Sequence, residues 1–372
     1  MSHRFPDKIP PQKLHEYFPS LIRISLNNKT APILEQPIKL MKQLQQLSVI
    51  PDYLEEFPQS ILMGKNLHSL DVRNGQFTSL PDEFVELKKL ETLSLVSGKL
   101  ETLPLDFGQL SKLVDLRLWS NALQYLPASF MQLSQLEVLH LDTNQLKTLP
   151  PEFGALKQLK TLSISENQLT TLPATFGQLT QLSFLNLSHN QISKLPDIFG
   201  LLTQLEELNL KDTQLTELPQ SFQNLFNLTE LILDKNSIEE FPSQILKLKN
   251  LKHLSLGANS IKKFPPSFAS LNQLSELNLA YNLLKFIPEC IFTIPNVVDL
   301  ILTHNKITQL PSQLKNTKIH YLDLSYNLLT DFPSDSVNTQ YLEHLELTGN
   351  PIPDNKIEKL RKQLPDVYIT FE

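Results

Sequence analysis

Leucine, or a residue of similar size, returns every 23 residues along most of this chain. The first leucine of the pattern L-x-x-L-x-L marks the start of each unit, and fourteen units begin at Leu44, Leu67, Leu90, Leu113, Leu136, Leu159, Leu182, Leu205, Leu228, Leu251, Leu274, Val297, Ile319 and Leu342. Only the step from Val297 to Ile319 is shorter, at 22 residues. A constant period of this length indicates one repeated unit and overrules the two or three domains that 372 residues would otherwise suggest.

Each unit has the pattern of a short strand followed by a compact return. In the unit that begins at Leu136, Leu139 and Leu141 alternate with more exposed positions, as in a strand with one buried face. The strand is expected to end at Asn144. Two prolines then prevent a continuing ladder, and Phe153 with the leucine three residues later predicts one helical or 3-10 turn.

A unit of this size cannot bury its apolar side alone, so neighbouring units must stack. The strands would then form a parallel sheet with the returns on its other side. Strands about 4.7–4.9 Å apart, set against bulkier returns, would bend the stack with the sheet inside. We therefore predict an α/β fold, a horseshoe solenoid with a parallel concave sheet and short 3-10, helical or irregular convex returns.

Two columns of equivalent residues are predicted to be structural. Asparagine recurs where the chain leaves the strand and its amide can satisfy backbone groups, at Asn121, Asn144, Asn167, Asn190, Asn236, Asn259, Asn282, Asn305, Asn327 and Asn350. Phenylalanine recurs beneath the returns, at Phe84, Phe107, Phe130, Phe153, Phe176, Phe199, Phe222 and Phe268. Gly75, Gly98 and Thr213 interrupt the asparagine column, and Thr213 is expected to substitute in part through its hydroxyl.

The ends of the chain depart from the repeat, as a solenoid requires to cover its terminal core. The predicted division is an N-terminal cap at 1–20, a degenerate first repeat at 21–43, the fourteen repeats at 44–350 and a C-terminal helix–strand cap at 351–372. Asp354 is expected to cap that helix. On this division we expect both ends to be closed and the chain to be complete.

The repeat L-x-x-L-x-L-x-x-N-x-L-x-x-L-P-x-x-F-x-x-L resembles the leucine-rich-repeat family, in its 23-residue LP-containing subclass of cytosolic scaffolds and bacterial proteins. The resemblance covers about residues 21–372. It implies a curved platform that binds proteins on its concave side, and it names no partner.

Composition and motifs point away from several other classes. The net charge of −6 gives no general attraction to nucleic acid, and no apolar run is long enough for a signal peptide or a membrane span. The single cysteine, Cys290, cannot form an internal disulfide, which favours a reducing compartment. Glycine-rich phosphate loops and zinc motifs are lacking, so we expect no cofactor, no metal and no enzymatic activity.

Acidic residues concentrate on the predicted concave face. Positions 3, 5, 7 and 8 of the units should point there, and across the fourteen units they hold four basic and twelve acidic residues, a net of −8 against −6 for the whole chain. Chance could give this sign to a merely soluble surface, but a concave face of one sign would also steer a basic partner.

Aromatic and apolar residues subdivide this face into two candidate binding clusters. Toward the N-terminal end, the cluster is Arg117, Trp119, His140, Asp142 and Phe184. Toward the C-terminal end, it is Glu207, Glu230, Ile232, Asp234, Glu276, Tyr281, Asp299, Ile301, His304, Tyr321 and Tyr326.

These features predict a cytoplasmic, non-enzymatic scaffold that binds a protein partner with a basic surface, with a monomer as the simplest state. One alternative is an effector that modulates a host protein and is secreted without a cleavable signal. Another is a recognition module for carbohydrate or lipid, which the absence of cysteine caps disfavours.

Overall fold

The structure, a computed structural model, describes residues 23–27, 44–50 and 54–371. They fall into two units, one ending at Asn186 and the other starting at Leu187. The predicted N-terminal cap lies outside the described residues, and so does the predicted first repeat apart from its strand.

The first unit contains eight parallel strands that pair in chain order. They are β1 (Arg23–Asn27), β2 (Gln46–Ile50), β3 (Ser69–Arg73), β4 (Thr92–Val96), β5 (Asp115–Arg117), β6 (Val138–His140), β7 (Thr161–Ser163) and β8 (Phe184–Asn186). Its returns contain the 3-10 helices Gln59–Met63, Asp82–Glu86, Phe107–Gln109, Ala128–Gln132, Phe153–Ala155 and Phe176–Gln178.

The second unit also contains eight parallel strands in chain order. They are β9 (Glu207–Asn209), β10 (Glu230–Ile232), β11 (His253–Ser255), β12 (Glu276–Asn278), β13 (Asp299–Ile301), β14 (Tyr321–Asp323), β15 (His344–Glu346) and β16 (Tyr368–Thr370). Its 3-10 helices are Asp197–Leu201, Gln220–Asn224, Ser243–Lys247, Pro266–Ser270, Glu289–Thr293, Ser312–Asn316 and Ser334–Ser336, and its α-helix α1 is Asp354–Gln363.

The strand register places equivalent residues of successive repeats side by side. Leu231 of β10 pairs with Leu254 of β11, and Leu300 of β13 pairs with Leu322 of β14 across the 22-residue step. These leucines point into the core, where they are 2% exposed or less. Each of the two compact units is thus a leucine-rich-repeat solenoid, with a parallel sheet on one side and 3-10 returns on the other. The 23-residue period predicts this arrangement.

The phenylalanine column is a core spine. Its eight members are the largest fully buried side chains among the described residues. Phe107 stacks on Phe130 with ring centroids 5.9 Å apart, and Phe199 stacks on Phe222 at 6.1 Å. In these pairs a ring contact adds to the burial of apolar area.

The asparagine column has the predicted structural role. In a typical member, Asn144 Nδ2 donates to the carbonyl oxygens of Leu118 and Leu141 at 3.0 Å each, and its Oδ1 accepts from the Leu123 N–H at 2.9 Å. Thr213 substitutes in part, since its hydroxyl donates to the Leu210 carbonyl at 2.8 Å. An asparagine such as Asn144 thus joins its repeat to the preceding one at the point where the sheet hydrogen bonds stop.

The backbone turns sharply at position 8, one residue before the ladder asparagine. Residues at this position, except Gly349, are not glycine, yet they share a left-handed φ of 52–58° from Asn74 to Tyr326. This conformation is uncommon for residues with a side chain. Here it is imposed repeat after repeat by the same turn, so the position 8 side chains of successive repeats start from matching backbone.

Two local predictions are wrong. In most repeats the regular strand covers only positions 3 to 5. In the repeat that begins at Leu136, the strand therefore ends at His140 and not at Asn144. The turn that follows takes the chain out of the sheet. The residue at the N-cap of α1 is Pro353, and Asp354 lies inside the first turn without a side-chain capping bond. Its carboxylate favours the helix through the dipole alone.

Candidate functional site

The open sheet face of the second unit carries a row of ionisable side chains at position 3. The register sets Glu207 beside Glu230, His253 beside Glu276, and Glu276 beside Asp299. Like charges directly opposite each other on neighbouring strands are destabilising. The row therefore holds two pairs of adjacent carboxylates, Glu207 with Glu230 and Glu276 with Asp299, on either side of one histidine.

His253 is the internal partner of this row. Its Nδ1 lies 3.0 Å from Glu276 Oε2, and both side chains remain at least 40% exposed. An exposed ion pair contributes little, and it exists only while the imidazole is protonated. His253 is therefore the one residue between the two carboxylate pairs that can carry a positive charge.

A groove of about 580 Å³ runs over this part of the sheet. Its polar lining includes Glu230, Glu276 and Asp299, and Ile232 and Ile301 supply apolar surface at position 5. The full lining is Glu230, Leu231, Ile232, His253, Leu254, Ser255, Glu276, Leu277, Asn278, Asp299, Ile301 and Tyr321, which contains no lysine or arginine. We call this feature the acidic groove.

Two groups that line the groove, Asp299 and Tyr321, have raised pKa values. Burial raises the pKa of Asp299 above its ordinary value, and repulsion from Glu276 raises it further. Burial likewise raises the pKa of the Tyr321 hydroxyl, with added effects from Asp323, Glu346 and Asp299. Burial is the larger cause of both shifts, and the neighbouring carboxylates act in the same direction.

Asp234, a member of the predicted site, has a structural task at the edge of this face. Its Oδ1 accepts hydrogen bonds from Ser255 Oγ at 2.7 Å, from the Gly257 N–H at 3.0 Å and from Asn278 Nδ2 at 3.3 Å. The carboxylate thus satisfies a backbone donor of the next repeat. Its capacity to bind a partner is correspondingly reduced.

Three further predicted residues form a stack of rings at position 8, which we call the aromatic stack. Tyr281 and His304 have ring centroids 4.0 Å apart and planes within 13°, and His304 and Tyr326 are 4.3 Å apart and within 25°. Tyr281 is 54% exposed and Tyr326 50%. The sequence column at position 8 is thus a continuous pile of rings on the surface.

Two charged members of the predicted cluster in the first unit are engaged by other residues of the chain. The Arg117 guanidinium makes two hydrogen bonds to Asp115, at 3.0 and 2.8 Å. Asp142 Oδ2 lies 3.6 Å from His140 Nδ1, and its Oδ1 accepts from the Ser163 and Ser165 hydroxyls. Arg117 and Asp142 are therefore committed within the chain.

The apolar members of that first cluster differ in exposure. Trp119 is 36% exposed, whereas Phe184 at the start of β8 is only partly exposed. With its charges paired, this face offers one indole as its main feature, and it is a weaker candidate than the acidic groove.

Three residues of the second face were not predicted from the sequence. His253 lies between the carboxylate pairs. His344 and Tyr368 continue the position 3 row beyond Tyr321. The ring centroids of Tyr321 and His344 are 6.3 Å apart, and those of His344 and Tyr368 are 5.7 Å apart. The position 3 column contains all of them. Counting only lysine, arginine, aspartate and glutamate passes over the histidines, and Tyr368 lies beyond the last regular repeat.

Other chemistry has little support in the part of the chain that the structure describes. No group of three or more His, Cys, Asp or Glu side chains there is arranged to hold a metal ion. Within the same residues, every helix is too short or too polar to cross a bilayer. Burial raises the pKa of the half-buried Cys290 thiol.

Comparison with known proteins bears on the family. The model of the leucine-rich repeat region matches residues 129–232, and a second leucine-rich-repeat model matches 89–146 and 226–284. None of the curated proteins compared with the sequence matches it.

Solved structures are similar over nearly the whole chain. A leucine-rich-repeat protein of Leptospira interrogans is 33% identical with a TM-score of 0.78, over 95% of this chain and 94% of that one. The leucine-rich-repeat ectodomain of an Arabidopsis thaliana membrane receptor kinase, in complex with Casparian strip integrity factor 2, is 26% identical with a TM-score of 0.65. The TLR13–ssRNA13 complex contains a chain that is 25% identical with a TM-score of 0.72.

The match to the Leptospira protein runs along both chains almost from end to end. The other two matches each cover 93% of this chain, but this chain spans only 45% and 52% of those chains. The repeat pattern, the parallel sheets with 3-10 returns and the asparagine ladder agree with these matches. The chain belongs to the leucine-rich-repeat family.

Proposed function

We propose that the protein is a non-enzymatic interaction module that holds a basic segment of a protein partner in the acidic groove and against Glu207, which adjoins the groove at Glu230. The observation that carries the proposal is the pairing of Glu207 with Glu230 and of Glu276 with Asp299 on adjacent strands. Such neighbours repel each other in the free protein, and a bound cation relieves the repulsion. The arrangement therefore lowers the stability of the free protein, and binding of a basic partner would remove this cost.

The shape of the groove suits long basic side chains. Lysine and arginine carry an aliphatic stem below the charge, and Ile232 and Ile301 offer apolar surface for that stem. Tyr321 adds an aromatic ring at the edge of the same groove. Groove and partner would then match in charge and in polarity along each basic side chain.

The spacing between strands determines how far apart the basic residues of the partner must lie. The centres of the two carboxylate pairs lie three strand steps apart along position 3, or about 14 Å at about 4.8 Å per step. An extended chain advances about 3.3–3.4 Å per residue, so four residues span about 13 Å and return a side chain to the same face. We therefore propose an extended segment with basic residues four positions apart.

Fold relatives favour a macromolecular ligand. The Arabidopsis ectodomain was solved with Casparian strip integrity factor 2, and TLR13 was solved with ssRNA13. For this chain, the acidic lining makes RNA the poorer choice, because a phosphate backbone would meet carboxylates and no lysine or arginine in the groove. A cytoplasmic location remains part of the proposal, and so does the alternative of an effector acting on a host protein.

Affinity capture with paired variants tests the proposal. Proteins retained from a lysate by the unmodified full chain are compared with those retained by the double variant Glu230→Gln/Glu276→Gln. Each lost contact is expected to cost about 0.5–1 kcal/mol at this exposure, so the double change should weaken a specific partner about 5- to 30-fold.

A matched control variant removes the same number of negative charges at a site outside the groove. Glu239→Gln/Glu240→Gln also removes two charges from the second unit, but from exposed residues of a return outside the groove. It should leave capture unchanged. Equal retention of every partner by the groove variant would refute the proposed site, and equal loss with the control variant would reduce the effect to overall charge.

A further inference from the structure

The aromatic stack ends differently on its two sides. At one end, Tyr326 lies against Gly349, where an added Cβ would come within 2.5 Å of Tyr326 Cδ1. At the other end, the next residue in the position 8 column is Ala258, which offers only a methyl group. The stack is therefore seated on backbone at one end, while at the other it stops beside a small residue.

The gap beside Tyr281 comes from the side chain and not from the backbone. Ala258 has a φ of 52°, and Tyr281, His304 and Tyr326 have φ values of 53–54°. Its N–H also donates to the next repeat, to Ala280 O at 2.8 Å, as the Tyr281 N–H does to Thr303 O. A ring at this level would continue the existing column in direction and spacing.

A cation bounds the far side of the gap. Lys235 is the next residue of the column, has the same backbone with a φ of 52°, and is exposed. No ion pair joins it to another residue of the described ranges. Two strand steps separate Lys235 from Tyr281, about 9.5 Å, which leaves room for one flat group about 4–5 Å from each.

The ring of Tyr281 on one side and the charge of Lys235 on the other determine which chemical group fits between them. A guanidinium would stack on Tyr281 but be repelled by Lys235, and a carboxylate would pair with Lys235 but gain nothing from the face of the ring. A neutral aromatic ring gains from both, because it stacks on Tyr281 and presents its other face to the ammonium group. We infer that Lys235, Ala258 and Tyr281 form a slot for one aromatic side chain of a bound protein or peptide, distinct from the acidic groove.

The test uses N-acetyltryptophanamide, an uncharged indole probe, with the full-length protein. Binding is followed by NMR from the shifts of the probe and of the His304 ring protons. The unmodified protein should give saturable shifts. Ala258→Tyr should abolish them by filling the slot, Tyr281→Ala should weaken binding about 2- to 12-fold, and Tyr281→Phe should retain it.

Two controls separate the slot from its surroundings. Ser97→Tyr adds a ring at position 8 with a matching φ of 55° in the first unit, and it should change nothing. Glu230→Gln/Glu276→Gln should also leave probe binding intact, since the probe carries no charge. Absence of saturable shifts in the unmodified protein, or shifts that survive Ala258→Tyr, would overturn the slot and leave the acidic groove untouched.

Discussion

Removing one rung of the asparagine ladder should destabilise the protein far more than removing an exposed asparagine. Asn282 is 4% exposed, its Nδ2 lies within 3.2 Å of the carbonyl oxygens of Leu256, Leu279 and Ala280, and its Oδ1 accepts from the Ile261 N–H at 3.0 Å. Two amide hydrogens and one acceptor amount to three full bonds. At about 1 kcal/mol net each, Asn282→Ala should cost about 3 kcal/mol, much of it from the orphaned Ile261 N–H.

Urea unfolding and amide hydrogen exchange measure this effect together. Exchange is needed because repeat arrays can unfold in parts, and the Ile261 amide should lose protection first. The control is Asn296→Ala, an exposed residue whose amide donates one bond, to Asn272 O at 2.8 Å. A loss below about 1 kcal/mol for Asn282→Ala, or a loss equal to that of Asn296→Ala, would refute the structural role of the ladder.

Three further predictions concern ionisable groups. Burial alone would raise the pKa of Asp142, but hydrogen bonds from His140 and two serines outweigh it and lower the pKa, so the carboxylate stabilises the fold above the unfolded value of 3.8. Asp142→Asn should therefore lower the urea midpoint at neutral pH, and the difference should shrink as the pH falls from about 3.8. Asp299, whose pKa is raised, should titrate above 3.8 in NMR, and Glu276→Gln should lower that pKa; no change would remove the proposed repulsion. Cys290 should react slowly with a thiol reagent in the folded chain and quickly in denaturant, since burial disfavours its thiolate; equal rates would contradict its burial.

The solenoid fold of the described repeats could be predicted because it follows from one period. Once Leu139 and its equivalents must face inward every 23 residues, parallel pairing and register leave little freedom, and Asn144 and Phe153 fall into columns whose roles elementary chemistry explains. The period does not predict the sharp turn at position 8. Residue types that do not favour a left-handed backbone adopt it there, for example glutamate at Glu166 and alanine at Ala258.

The candidate site could be predicted as a surface but not as a set of free side chains. Asp142 and Asp234 are exposed by pattern, yet their carboxylates are engaged by serines and backbone N–H groups one repeat further on, a contact that spans 21 to 23 residues of sequence. Arg117 is likewise paired with Asp115, two residues earlier on its own strand. Charge counts along a column cannot distinguish a structural carboxylate from an unbalanced one, and the three-dimensional partners decide.

The most direct test of the account is isothermal titration of the full-length protein with an unstructured peptide that carries two lysines four residues apart. The acidic groove predicts binding that weakens with salt, falls about 5- to 30-fold with Glu230→Gln/Glu276→Gln, and is unaffected by Glu239→Gln/Glu240→Gln. A peptide with its lysines two residues apart should bind more weakly. Binding that is absent, or that is the same for both double variants, would contradict the proposal that this face recognises a basic partner.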